Sequence, residues 1–228
     1  MSDTIPQRIE HGVSELAAAL KPRLRGVLHE IAFALSLVTG TALVCLADGG
    51  RQRTAAVVYA VSVALLFGTS AAYHRNSWSP RAHARMARLD HSMIFVLIAG
   101  TYTPFGLLLL DGAKQWVILG IVWGGAAAGI LLRNALRQPP RWLLVALYLG
   151  LGWVALGIMP DVLRRGGVAV LVLLLVGGLF YSVGAVVYAL QRPNPSPRWF
   201  GFHEVFHSLT LAAFATHYAA VSLATYRG

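Results

Sequence analysis

Seven apolar runs, each about as long as a bilayer core is thick, divide this chain at 27–47, 54–74, 91–110, 115–132, 142–159, 168–190 and 204–225. A helix needs ~20 such residues to cross ~30 Å of hydrocarbon. Lipid offers no partner to a backbone N–H or C=O, so a run of this length closes its own hydrogen bonds as a helix. Breakers fall between the runs: Asp48-Gly49-Gly50, the basic stretch from Arg75 to Arg88, Asp111-Gly112, Pro139-Pro140, Asp161 to Gly167, and Arg192-Pro193-Asn194-Pro195-Ser196-Pro197. The predicted fold is all-α, a polytopic membrane protein with a seven-transmembrane-helix bundle over 27–228. Composition agrees, since 57% of the 228 residues are hydrophobic and 12% are charged, against roughly 25% charged in soluble domains.

Nineteen Lys and Arg against nine Asp and Glu give a formal charge of +10. In a soluble protein that excess would suggest nucleic acid as partner. Here the basic residues form no stripe. They fill the gaps between apolar runs, the pattern that fixes orientation and meets anionic lipid head groups. Thirteen lie on the face shared by the N-terminal segment and the second, fourth and sixth loops, and six on the other. The positive-inside rule then predicts a cytoplasmic N-terminus, an outside C-terminus, and anionic head groups as partners at the cytoplasmic face. A multi-pass protein of the plasma membrane is expected, with no nucleic-acid partner.

Residues 1–26 hold Pro6, Pro22 and several charges without an apolar core, so no cleavable signal is expected. They read as a cytoplasmic segment, with Ile9, Val13, Leu16 and Leu20 at the spacing of an interfacial amphipathic helix. A second interfacial piece opens at Ser79-Pro80. The single cysteine, Cys45, rules out an internal disulfide and reads as inert packing.

Ionisable side chains inside apolar spans are costly and mark function. His74 closes the second run, Asp90 and His91 open the third, and His203, Glu204 and His207 open the seventh. In the predicted topology all three ends share one depth. His203 and His207, four apart, stand one above the other on a helix. With His74 they form three neutral nitrogens with an open position, the ligand set of a catalytic zinc. Asp90 is the natural counter-charge, placed to orient a metal-bound water whose pKa falls to ~7. Ser70, one turn before His74, can hydrogen-bond that water or a substrate oxygen. His217 lies ~15 Å along its helix from His207, too far to share the ion, and reads as a buried hydrogen-bonding group. His29 and Glu30 read as interfacial, with a supporting contact behind the site or to a loop as the alternative, and His11 and His83 as solvated.

Residues 203–207 also spell H-E-x-x-H, the zinc-protease signature in which the glutamate is general base. No acidic residue follows His207 to complete such a site. A wider pattern covers about residues 20 to 225: Lys21-Pro22-Arg23-Leu24-Arg25-Gly26, Gly68-Thr69-Ser70-Ala71-Ala72-Tyr73-His74, Leu89-Asp90-His91, Gly100-Thr101-Tyr102-Thr103-Pro104 and His203-Glu204-Val205-Phe206-His207. In order and spacing it resembles the hemolysin III branch of the progestin and adipoQ receptor (PAQR) superfamily, relatives of the adiponectin receptors. The resemblance implies seven helices with the N-terminus inside. It also implies zinc on His74, His203 and His207, Asp90 contacting the zinc-bound water, and Ser70 in the same site. Its adiponectin-receptor relatives are associated with zinc-dependent ceramide hydrolysis, and the bacterial branch is named for haemolysis. The reading is therefore a zinc-dependent hydrolase of a membrane lipid amide or ester. A membrane-permeabilising or transport protein with a structural zinc is the alternative, and an intramembrane metalloprotease stands behind both.

Overall fold

The computed structural model describes residues 22–136 and 139–226. These form α1 (Val27–Cys45), α2 (Gly50–Arg75), α3 (Pro80–Leu109), α4 (Gly112–Ala135), α5 (Arg141–Gly152), α6 (Gly167–Leu190) and α7 (Phe202–Tyr226). A tighter turn (Trp153–Ile158), one short helical piece (Met159–Asp161) and a wider turn (Val162–Gly166) carry α5 on to α6. No strand occurs among the described residues beyond an isolated bridge between Ser196 and Phe200. The chain is thus a polytopic helical membrane protein.

Among the described residues five segments are long and apolar enough to cross a bilayer: α1, α2, α3, α4 and the continuous stretch Arg141–Leu190. That last stretch reverses on itself. Gly167 takes φ 80°, a left-handed value open to glycine, and α5 packs back against α6. The expected runs 142–159 and 168–190 correspond to its two limbs. Helix α7 is 25 residues long but is not among the five segments, because His203, Glu204, His207 and His217 dilute its apolar surface.

Neighbouring helices pair in chain order from α1 to α4, and α6 pairs with α7. Helix α3 is the centre, touching α2, α4, α5 and α7. Small residues permit the close crossings. A methyl on Gly100 would lie 2.2 Å from Ser62 Oγ, and one on Gly129 would lie 2.4 Å from the Phe95 ring. The core holds Tyr59, Phe67, Phe95, Phe105 and Val221, while Val38, Trp116, Leu131, Trp142 and Val168 face outward. Bulky apolar groups outside and polar ones within suit a lipid solvent.

The basic stretch expected to separate runs two and three is mostly helical. Ser79 caps α3 by accepting a hydrogen bond from the Ala82 N–H (3.4 Å), and Pro80 fills the first turn. The predicted interfacial piece is therefore the beginning of a 30-residue helix. The amphipathic segment expected at Ile9 to Leu20 lies outside the described residues. Cys45 is exposed rather than packed.

Candidate metal centre

The last turn of α2 and the first two turns of α7 bring His74, His203 and His207 to one point. Each contributes one ring nitrogen, and the three nitrogens lie within 4.8 Å of one another. His203 Nε2 and His74 Nε2 are 3.1 Å apart. The ring centroids of His203 and His207 are 4.5 Å apart, and those of His74 and His207 are 5.3 Å apart. Two nitrogens on one tetrahedral zinc, each at ~2.0–2.1 Å, would sit roughly 3.3 Å from each other. The donor set and its spacing fit such an ion.

Asp90, three turns into α3, is buried and lines the same cavity as Ser70. Ser70 lies one turn before His74 on α2 and is buried too. Its oxygen also meets His29 Nδ1 at 2.8 Å. The His29 ring lies flat on His207, with centroids 3.6 Å apart and planes 11° from parallel. Sequence reasoning placed His29 at an ordinary interface, whereas only 3% of it is exposed. A signal was present: His29 heads the stripe Ala32, Ser36, Gly40, Leu43, whose small residues mark a packed helix face.

Glu204 is not free to act as a base. One carboxylate oxygen pairs with the Arg25 guanidinium, and Oε2 accepts the Gly201 N–H at 2.7 Å. The side chain closes the first turn of its own helix, as in a capping box. Arg25 belongs to the turn ahead of α1, whose Arg23 and Leu24 N–H groups donate to the Arg198 and Trp199 carbonyls at 3.1 and 3.2 Å. Gly26 lets this turn rest on the site, since it takes φ 83° and a methyl there would lie 2.6 Å from His74 Cβ.

His91 faces the cavity beside the site, accepting from Arg133 Nε at 3.2 Å and lying 3.3 Å from the Tyr188 hydroxyl. His217 meets the Leu174 carbonyl through Nε2 at 3.1 Å, far along α7, in keeping with a buried hydrogen-bonding group. His83 is exposed. His11 lies outside the described residues.

Asp90, His203 and His207 form one end of a cavity of about 160 Å³. It continues between α3, α5, α6 and α7 past Leu97, Ile98 and Val145 to Phe105, Ile158 and Leu174. Asp90 and Phe105 are fifteen residues apart on one helix, so the cavity is ~22 Å long at ~1.5 Å per residue. Its walls are mostly apolar, with Ser70, Asp90, His203 and His207 at one end and Thr101, Tyr102, Ser182 and His217 farther along.

A family profile described as "Haemolysin-III related" matches residues 17–218. The chain is similar to "Hemolysin-3" of Bacillus cereus, at 34% identity over 172 residues, covering 73% of this chain and 77% of that protein. It is similar to the "Monocyte to macrophage differentiation factor" of Homo sapiens, at 24% identity over 196 residues (83% and 79%). It is also similar to "Heptahelical transmembrane protein 4" of Arabidopsis thaliana, at 28% identity over 178 residues (68% and 44%).

Proposed function

The chain belongs to the haemolysin-III-related family, with relatives across the PAQR superfamily, and on that premise we propose a zinc-dependent hydrolase of a membrane lipid amide or ester. It crosses the plasma membrane seven times, with the N-terminus cytoplasmic and the C-terminus outside. The name of the heptahelical relative, the reversal at Gly167 and the basic-residue count support that topology.

One observation carries the reading: three imidazoles and a buried carboxylate stand at the mouth of a long apolar cavity. His74, His203 and His207 hold the metal. A bound zinc supplies Lewis acidity toward a carbonyl and makes water a stronger acid. Asp90 takes the attacking water's proton on a carboxylate oxygen, and Ser70 holds that carboxylate in place by hydrogen bonding. The walls from Leu97 to Phe105 take an acyl chain and keep bulk water away. A peptide would have to expose unpaired backbone groups to follow the same path, at a cost of several kcal/mol each, about the price of an unmade buried hydrogen bond in lipid. Glu204, engaged on both oxygens, argues against the metalloprotease.

The name of the Bacillus cereus relative, "Hemolysin-3", favours a second reading, a membrane-permeabilising protein in which zinc ties α2 to α7. Zinc per purified chain comes first, on wild type and on His74→Ala, His203→Ala and His207→Ala. Hydrolysis of a fluorogenic N-acyl sphingosine in mixed micelles follows, with and without chelator. Turnover that survives in metal-free protein would end the hydrolase reading, and stoichiometric zinc without turnover would favour the permeabilising one.

A further inference from the structure

A histidine that binds a metal through one nitrogen is ordinarily steered by a hydrogen bond at the other, which fixes its tautomer and its plane. Where Nε2 of His207 holds the metal, that bond is missing, because Nδ1 is buried with no hydrogen-bond partner among the described residues. What lies against it is the flat face of His29, nearly parallel at 3.6 Å. His29 is itself wedged, with Phe67 edge-on at 5.0 Å on α2 and the Ser70 hydroxyl at its Nδ1.

The hydrogen bonds around His29 have a direction. Ser70 owns one hydroxyl hydrogen, and an ionised Asp90 only accepts. With Asp90 as the acceptor, the hydroxyl hydrogen points to it and the Ser70 oxygen accepts from His29 Nδ1–H across 2.8 Å. His29 is then bare at Nε2, the buried nitrogen that has no partner. An acceptor at Nδ1 would compete with Asp90 for the single hydrogen.

We infer that His29 is a positioning residue with two separable roles: its ring face holds the plane of His207, and its Nδ1–H turns the Ser70 hydroxyl onto Asp90. It does this without being a ligand, since the three-nitrogen group consists of His74, His203 and His207. One residue of α1 thereby sets both the metal-binding side and the proton-handling side of the site. The inference deepens the zinc reading above and rests on it.

Substitutions separate the two roles. His29→Phe keeps a flat ring and removes the N–H, whereas His29→Asn keeps a short N–H donor and removes the ring. Each variant is purified in detergent and checked for monodisperse elution. Zinc affinity is read by competition with a chromophoric chelator, and ligand geometry by the visible spectrum of the cobalt-substituted protein. His29→Asn is expected to lose ~10- to 100-fold in zinc affinity and to alter the cobalt spectrum, with His29→Phe staying within about threefold of wild type. Turnover of the N-acyl sphingosine probe should reverse the order per bound metal, with His29→Phe falling at least ~10-fold. If His29→Asn binds zinc as wild type does, the stacking role is wrong whatever the turnover. If His29→Phe turns over as wild type does, the Ser70 role is wrong. A wild type devoid of metal would overturn the zinc reading and this inference together, and is distinguished by the first zinc measurement.

Discussion

The two ends of the bundle use charge in opposite ways. At the end away from the histidines, Asp161 pairs with Lys114 at 2.5 Å and Arg164 at 2.9 Å, and Arg165 pairs with Asp111. Four of these five residues are well exposed, and both of these acids have a base. At the histidine end, His74, Asp90, Glu204 and His207 are buried. His207 Nδ1, His29 Nε2 and Arg133 Nη1 have no hydrogen-bond partner among the described residues. Exposed ion pairs are cheap to make and contribute little. Buried imidazoles without partners lower stability and persist where something else is gained. The contrast has exceptions, the exposed pair Arg75–Glu30 at the histidine end and the unpartnered Gln115 Nε2 at the other, but the two buried carboxylates, Asp90 and Glu204, both lie at the histidine end.

The contrast breaks most directly at the ligands. His203→Ala or His207→Ala is expected to take zinc from about one per chain to near zero and turnover down by more than ~10²-fold, as read by elemental analysis and the lipid assay. Asp90→Asn sharpens it, because metal is retained while turnover falls by ~10²-fold or more, the usual worth of a positioned general base. Glu204→Ala separates stability from chemistry. Removing one partner of a buried pair costs ~3–5 kcal/mol, so the thermal midpoint in detergent drops by several degrees while turnover per folded chain stays near wild type. Equal loss of turnover in Asp90→Asn and Glu204→Ala would restore the protease. Asp161→Asn at the opposite end is the smallest change, at most ~1 kcal/mol, with zinc content untouched.

The helical class was legible because bilayer thickness imposes one length on every crossing, and glycine, proline and charge mark the breaks. The start of α3 was misread for a physical reason. Arg81, Arg85 and Arg88 look like loop by polarity, yet nothing in their backbone preference opposes a helix once Ser79 and Pro80 have begun one. The histidine triad was visible because His203 and His207 are one turn apart and His74 ends a span. For His29 the interfacial reading outranked a supporting contact behind the site because a lone histidine near a helix end carries no spacing signal, and its partners lie 41 and 178 residues away in sequence. Glu204 looked catalytic within H-E-x-x-H, and only the fold reveals that Arg25 and Gly201 claim it.

Helix α3 has a mechanical consequence. Ten residues of unbroken helix connect Pro80 to Asp90, a stiff rod of ~15 Å. Arg81, Arg85 and Arg88 lie near its tip, so the distance of the carboxylate from that basic tip is gauged by a fixed pitch and not by a slack loop. One residue inserted between Arg81 and Leu89 would shift that gauge by ~1.5 Å and swing it by about 100°. The tip and the reacting carboxylate would then no longer agree on which way, or how far, is down.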